Sequence, residues 1–254
     1  MSTPPRVIAV IPARMASQRL PGKPLADICG QPMIVHVIHR TRKASLIDEV
    51  LVATDDAKIA AAAHSAGCRA IMTSSDLQSG TDRIAAALRE YPHGEIIVNV
   101  QGDEPLIPPA MIDQAVRPLL DDQTLVAGTL VTPITSKDEL LNPSLPKVVL
   151  DKNGFCLYFS RSPIPHVRDI PVEEWAQSTS MYRHIGLYVY RREFLFTYTS
   201  LPQLPLEKAE KLEQLRVLEH GYKMKATVTN LESISVDTPG DLEKVRALMG
   251  SEQR

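Results

Sequence analysis

Three cations share one short loop with no acid to offset them: Arg14, Arg19 and Lys23, all ahead of Asp27. Ser17 and Gln18 lie among them, and Gly22 lets backbone N–H groups approach an anion closely. Arginine grips phosphate with a planar fork of donors and lysine with a point charge, so the chemistry on offer is neutralisation of a polyphosphate. The competing reading is a basic surface loop whose charges face water. Two carboxylates bear on the choice. Asp103 follows the run 95–100 (EIIVNV) within Gln101-Gly102-Asp103-Glu104-Pro105, and Asp237 closes the run 234–237 (ISVD). A carboxylate just past a central strand, opposite a phosphate loop, suits Mg²⁺, a hard cation that takes oxygen ligands and phosphate. Alone, the pentapeptide reads better as an acidic turn with Asp103 as a cap.

The elements that must carry these groups read as an open α/β sheet. Residues 7–11 are apolar and largely β-branched, as in a buried strand, and Pro12 is expected to stop it. Helix 32–42 follows, bearing His36 and His39, read as solvated or capping histidines. Strand 49–54 ends in Asp55-Asp56, which cap the Ala-rich helix 58–66 more readily than they bind metal. Gly67 ends that helix and strand 68–72 comes next. A β-α-β-α-β alternation means parallel strands with right-handed crossovers, hence a doubly wound sheet that binds ligands beyond its carboxyl edge. Residues 79–83 (SGTDR) make a turn into helix 84–91, with Thr81 or Asp82 as N-cap, and simple capping is the plain reading.

Helix 109–120 and strand 125–131 continue the pattern. The stretch from 147 to about 199 departs from it. Residues 147–160 read as a hairpin with Asn153-Gly154 in a type I′ turn, 161–171 is proline-rich, and 182–194 alternates as a strand. This stretch is expected to be an inserted antiparallel subdomain that lids the site and supplies a dimer contact. Residues 205–220 (PLEKAEKLEQLRVLEH) read as one amphipathic helix with a solvated charged face. Strand 226–231 and a last helix, 240–249, capped by Thr238-Pro239, complete the chain as one domain spanning 1–254.

Composition narrows the function classes. A net charge of −2 gives no reason to expect nucleic acid or an anionic membrane as partner. No apolar run approaches the ~20 residues that span a bilayer, and the N-terminus shows no signal-peptide core. Cys29, Cys68 and Cys156 are odd in number and widely spaced, which speaks against disulfides and structural zinc and for a reducing cytoplasm. All three read as small buried or half-buried apolar residues.

The loop lacks both GxGxxG and GxxxxGK[ST]. It resembles instead the IPARxxSxRLPGKPL signature of the 3-deoxy-manno-octulosonate (KDO) cytidylyltransferases, with Ile11-Pro12-Ala13-Arg14, Ser17 and residues 19–25 in place. SGTDR, QGDEP, LEQL and SVDTP follow in family order, so the resemblance spans essentially the whole chain. It implies a Rossmann-like α/β nucleotidyltransferase fold, a cytoplasmic homodimer, and the reaction CTP + KDO → CMP-KDO + pyrophosphate for lipopolysaccharide synthesis in Gram-negative bacteria. It implies Arg14, Ser17, Arg19 and Lys23 on the phosphates, and Gly80, Thr81 and Arg83 near the base and ribose. It further implies Mg²⁺ on Asp103 and Asp237, and Gln101, Arg161, His184, Tyr188, Glu213 and Gln214 on the sugar. Arg14, Lys23, Asp103 and Asp237 would form the catalytic set. Arg161 suits a carboxylate because its guanidinium can engage one bidentately. Gly240 stands where the family often has Glu, which affects local helix capping alone. A cytidylyltransferase for sialic acid or an amino-KDO would share the loop and both aspartates, and a nucleotide-binding regulator without turnover would share the fold.

Overall fold

The computed structural model describes residues 6–16 and 19–252, and its backbone forms two compact units, 1–113 with 232–254, and 114–231. Ser17 and Gln18 lie outside the described residues.

The first unit is built on strand β1 (Val7–Ala13), whose Ile8 to Ile11 are completely buried. A short antiparallel pair, β2 (Asp27–Ile28) and β3 (Gln31–Pro32), leads into helix α1 (Met33–Arg42). Then come β4 (Glu49–Thr54), α2 (Ala57–Ser65), β5 (Arg69–Met72), α3 (Gly80–Glu90), β6 (Ile96–Asn99) and α4 (Pro109–Asp121), within which the two units meet along the chain. Strands β6, β1, β4 and β5 lie side by side in that order, all parallel. The chain leaves β1 towards β4 and β5, then returns to β6 on the other side. Right-handed crossovers in opposite directions put helices on both faces and open a crevice where the order reverses, beyond β1 and β6. The sheet is therefore doubly wound, as the alternation predicts.

Pro12 does not stop β1. It stays in register with Ala53 of β4, while β6 pairs with β1 only as far as Val10, so the missing N–H falls where the second neighbour has ended. Asp56 caps α2 as read, accepting from Lys58 N at 2.7 Å and Ile59 N at 3.1 Å. Asp55 pairs with Arg83 instead. Helix α3 begins earlier than expected, with Ser79 and not Thr81 or Asp82 as its N-cap: Ser79 Oγ accepts from Asp82 N at 3.0 Å and donates to Asp82 Oδ2 at 2.9 Å. His36 is buried rather than solvated, its Nε2 2.8 Å from the carbonyl of Ile28. Burial pushes the Cys68 and Cys156 thiols up to about 11 and about 12, consistent with apolar filler, whereas Cys29 is exposed in a turn at φ +51°.

The C-terminal segment returns to this unit. Residues 232–237 do not form a strand; Val236 N donates to Asp103 O at 2.8 Å and one extended stretch reaches Asp237. Thr238 and Asp241 then cap the helix Pro239–Glu252 reciprocally, Asp241 N donating to Thr238 Oγ1 and Thr238 N to Asp241 Oδ2. Val236, Leu242 and Val245 pack with Ile28 and Met33.

The second unit holds β7 (Ala127–Pro133), β8 (Lys147–Leu150), β9 (Cys156–Ser160), β10 (Tyr182–Arg191) and β11 (Lys225–Val228). β11 runs parallel to β7, and β7–β10, β10–β8 and β8–β9 pair antiparallel. The hairpin between β8 and β9 forms, but not with a two-residue turn. Asp151 Oδ1 accepts from Asn153 N and Phe155 N, both at 2.8 Å, and among the described residues there only Gly154 takes a positive φ. A type I′ turn needs two such residues, so the aspartate closes a wider loop. β10 ends at Arg191 and helix Arg192–Ser200 continues.

Residues 205–220 are not one helix. Pro205–Glu210 and Leu215–Glu219 are separate, with Lys211 between them at φ +52°. Glu207 accepts from Arg216 Nε at 2.8 Å and Nη2 at 2.6 Å in the interior, and Glu219 accepts from Leu206 N and Glu207 N, both at 2.9 Å. Side chains read as a solvated face instead fold the two short helices back on each other. No described helix is long and apolar enough to cross a membrane.

Candidate active site

The crevice beyond β1 and β6 is lined by Pro12 and Ala13 at the end of β1, by Arg14, Arg19 and Lys23 just after it, by Gln78, Ser79, Gly80 and Arg83 around the start of α3, by Gln101, Gly102 and Asp103, and by Asp237. Four separate stretches of sequence thus converge where an α/β sheet binds ligands. Gly22, at φ +71°, turns the loop into a short 3-10 helix, Lys23–Leu25, which fixes the base of the Lys23 side chain.

Lys23 Nζ is the meeting point. It donates to Asp103 Oδ2 at 2.6 Å and to Asp237 Oδ1 at 3.1 Å, and Arg19 Nη2 lies 2.9 Å from the same Asp237 oxygen. Two carboxylates far apart in sequence are therefore gathered on one ammonium, which offsets the repulsion that their approach would cost. This donor set fits a hard divalent cation. Magnesium is commonly held by one or two carboxylates, with phosphate oxygens and water completing its shell. Among the described residues no group of three or more His, Cys, Asp or Glu offers a complete protein cage. Glu104, beside Asp103, is buried away from this cleft; burial first and the Asp103 charge second push its carboxyl up to about 7.

Arg83 reaches the crevice from inside. It is 2% exposed, its Nη2 lies 2.9 Å from Asp55 Oδ2 and its Nη1 donates to Thr73 Oγ1 at 2.6 Å. Gly80 is in the wall, where an added Cβ would meet the Pro12 ring at 3.2 Å. Thr81 is not: it is buried and its hydroxyl accepts from Asn99 Nδ2 at 3.4 Å. One step along a helix turns a side chain by about 100°, enough to move it from the crevice to the core. Gln101 lines the crevice and donates to Asn99 Oδ1 at 3.2 Å. Asp55 and Thr73, which hold Arg83, carry no local signal in sequence that would have singled them out.

Within the second unit, His184, Tyr188 and Gln214 are linked. Gln214 Nε2 lies 3.4 Å from His184 Nδ1, and Tyr188 OH donates to Gln214 Oε1 at 3.2 Å. Glu213 sits at the helix break, where Tyr198 OH donates to its carbonyl at 2.9 Å and to its Oε1 at 3.2 Å. Burial pulls the His184 imidazole down to about 3 and drives the Tyr188 phenol up. Arg161 is placed differently: Nε donates to Glu210 O at 2.8 Å and Nη1 to Pro143 O at 2.9 Å. Its guanidinium thereby closes the end of helix Pro205–Glu210, a role that sequence reading missed.

The cytidylyltransferase family model matches residues 8–229. A 3-deoxy-manno-octulosonate cytidylyltransferase of Geotalea uraniireducens is 55% identical over 245 residues, covering 94% of this chain and 97% of that protein. Its counterpart from Geotalea daltonii is 54% identical over 245 residues, covering 94% and 96%. The solved structure of a CMP:2-keto-3-deoxy-manno-octonic acid synthetase complexed with CTP superposes with a TM-score of 0.90 at 42% identity, covering 97% of this chain and 99% of that one. With a basic loop and paired aspartates at the crevice of a matching fold, the chain belongs to the 3-deoxy-manno-octulosonate cytidylyltransferase family.

Proposed function

We propose that this chain transfers CMP from CTP to the anomeric hydroxyl of KDO, releasing pyrophosphate, in the synthesis of lipopolysaccharide. The observation that carries the reading is Lys23 Nζ between Asp103 and Asp237, in a crevice that also holds Arg14, Arg19, Gly80 and Arg83. A nucleophile attacks the α-phosphorus in line and pyrophosphate leaves, so catalysis consists of positioning and charge neutralisation. Arg14, Arg19 and Lys23, with Ser17, bind the triphosphate, while Gly80 and Arg83 border the base and ribose. Lys23 holds the two carboxylates at one point ahead of substrate and offsets charge on the leaving group, a preorganised arrangement. Asp103 and Asp237 would hold Mg²⁺, the cofactor in this reading, which would supply neutralisation of phosphate charge and a lowered pKa for the attacking hydroxyl.

Within the second unit, His184, Tyr188, Glu213 and Gln214 form the sugar set; a polyol needs both donors and acceptors, which adjacent Glu and Gln supply. We read 1–254 as one nucleotidyltransferase domain, working as a cytoplasmic homodimer, with the antiparallel segment about 147–199 as its lid and dimer contact. Pyrophosphate release measured over a panel of acidic sugars and nucleoside triphosphates tests the assignment. Turnover confined to CTP with KDO is expected. Preference for a sialic acid or an amino-KDO would move the substrate, and CTP binding without any pyrophosphate release would make the chain a regulator.

A further inference from the structure

Thr129 lies in the middle of β7 and is 1% exposed. The register between β7 and β10 shifts between Ile185 and Tyr188, and the shift turns two carbonyls towards the Thr129 hydroxyl. Thr129 Oγ1 lies 3.2 Å from Ile185 O and 2.9 Å from Leu187 O, and His184 Nε2 lies 2.8 Å from the same oxygen. A hydroxyl has one proton, and a carbonyl can only accept. With that proton committed to the carbonyls, the lone pair of Oγ1 faces the imidazole, and Nε2 must carry the ring proton. Nδ1 is then an acceptor, matched to the amide nitrogen of Gln214 at 3.4 Å, while Gln214 Oε1 accepts from Tyr188 OH. Burial keeps the ring neutral, so the imidazole has only its two tautomers to choose between. The opposite tautomer would make Nδ1 a donor, draw Oε1 of Gln214 towards it and exchange the two ends of the amide.

We propose that Thr129 is a positioning residue for sugar recognition: its hydroxyl fixes the Nε2–H tautomer of His184, and that tautomer fixes which end of the Gln214 amide donates and which accepts. The proposal rests on the reading of Gln214 as a sugar contact. No charge changes hands; a single hydroxyl proton, steered by a strand irregularity, sets the polarity of an amide three hydrogen bonds away from the backbone that steers it.

The test uses the full chain with 15N-labelled histidine, in which long-range proton–nitrogen correlation distinguishes the two tautomers. His184 in the unsubstituted protein is expected as Nε2–H. Thr129→Val, which keeps the shape and removes the hydroxyl, is expected to populate the Nδ1–H form. It should raise KM for KDO roughly three- to tenfold, the worth of about one hydrogen bond, and leave KM for CTP within about twofold. Thr129→Ser is expected to restore both the tautomer and KM. An Nδ1–H ring in the unsubstituted protein, an unchanged tautomer in Thr129→Val, or a serine variant as impaired as the valine one would each overturn the proposal. The first of these needs no variant to fold. A swapped tautomer with unchanged KM would remove Gln214 from the sugar pocket while leaving the link from Thr129 to His184 intact, so the two failures are told apart.

Discussion

The backbone amide of Val236 donates to the carbonyl of Asp103 at 2.8 Å, so the main chain itself, and not only Lys23, holds the two aspartate-bearing segments together. Asp103→Asn and Asp237→Asn are therefore expected to fold normally and keep much of their CTP affinity, which the proposed function assigns to the basic loop. Each should lower kcat by a few orders of magnitude, a loss of transition-state charge stabilisation on the order of several kcal/mol. The double variant should be little worse than either single one, because both carboxylates serve one site. Values of kcat that fall multiplicatively across the cycle would mean that the aspartates act independently.

Gly102 lies against the end of β1. A Cβ added there would stand 2.9 Å from the Pro12 carbonyl oxygen, a backbone atom that cannot swing aside. Gly102→Ala should cost about 1–3 kcal/mol in urea unfolding and reduce turnover together with it, because relief of the clash moves the phosphate loop. Unchanged stability with unchanged turnover would show that the turn yields without disturbing the crevice.

The Glu207–Arg216 pair is buried, at 5% and 7% side-chain exposure, so the weak energetics of surface pairs do not apply. Arg216→Met leaves a buried carboxylate without its partner and should destabilise the protein by roughly 3–5 kcal/mol. Adding Glu207→Leu should recover most of that loss. A double variant as unstable as the single one would mean that the guanidinium acts mainly through its packing on the Tyr198 ring, whose centroid is 5.2 Å away.

Acid should weaken the fold through His184. Its imidazole titrates near 3 when folded, against 6.5 ordinarily, because burial excludes the charged form. Between these values the unfolded chain takes up a proton that the folded chain refuses, so this contribution is complete above pH 6.5 and is lost as the pH falls towards 3. His184→Gln cannot titrate, and its stability relative to the parent should improve by on the order of 3 kcal/mol between pH 8 and pH 4. Parallel stability curves for the two proteins over that range would rule His184 out as the source.

The parallel half was legible because its signals are local. Strand 49–54 is found where its β-branched run and flanking acids put it, and Arg14, Lys23 and Asp103 meet because a doubly wound sheet gathers strand ends at one edge. What stayed hidden depends on partners distant in sequence. Glu207, Arg216 and Glu219 have the spacing of surface charges, and nothing local says that they face one another across a helix break at Lys211. Asp151 hides the wide hairpin loop behind an Asn-Gly that reads as a tight turn. Thr129 looks like any strand residue until the shifted register of β10 aims two carbonyls at it. Asp237 was found for its residue type and motif, although the strand expected beneath it is an extended segment with a single ladder-like bond to Asp103.

The first-turn amides of a helix ordinarily exchange their hydrogens with solvent fastest, since no preceding turn offers them a carbonyl. At Leu206 and Glu207 the carboxylate of Glu219 fills that place, from a residue thirteen and twelve positions further on. Their deuterium uptake is thereby tied to the opening of the whole fold-back between the two short helices, including the break that carries Glu213 and Gln214. Two backbone amides thus serve as built-in clocks for that bend, and slower exchange there in the presence of KDO would be the mark of a sugar bound at it.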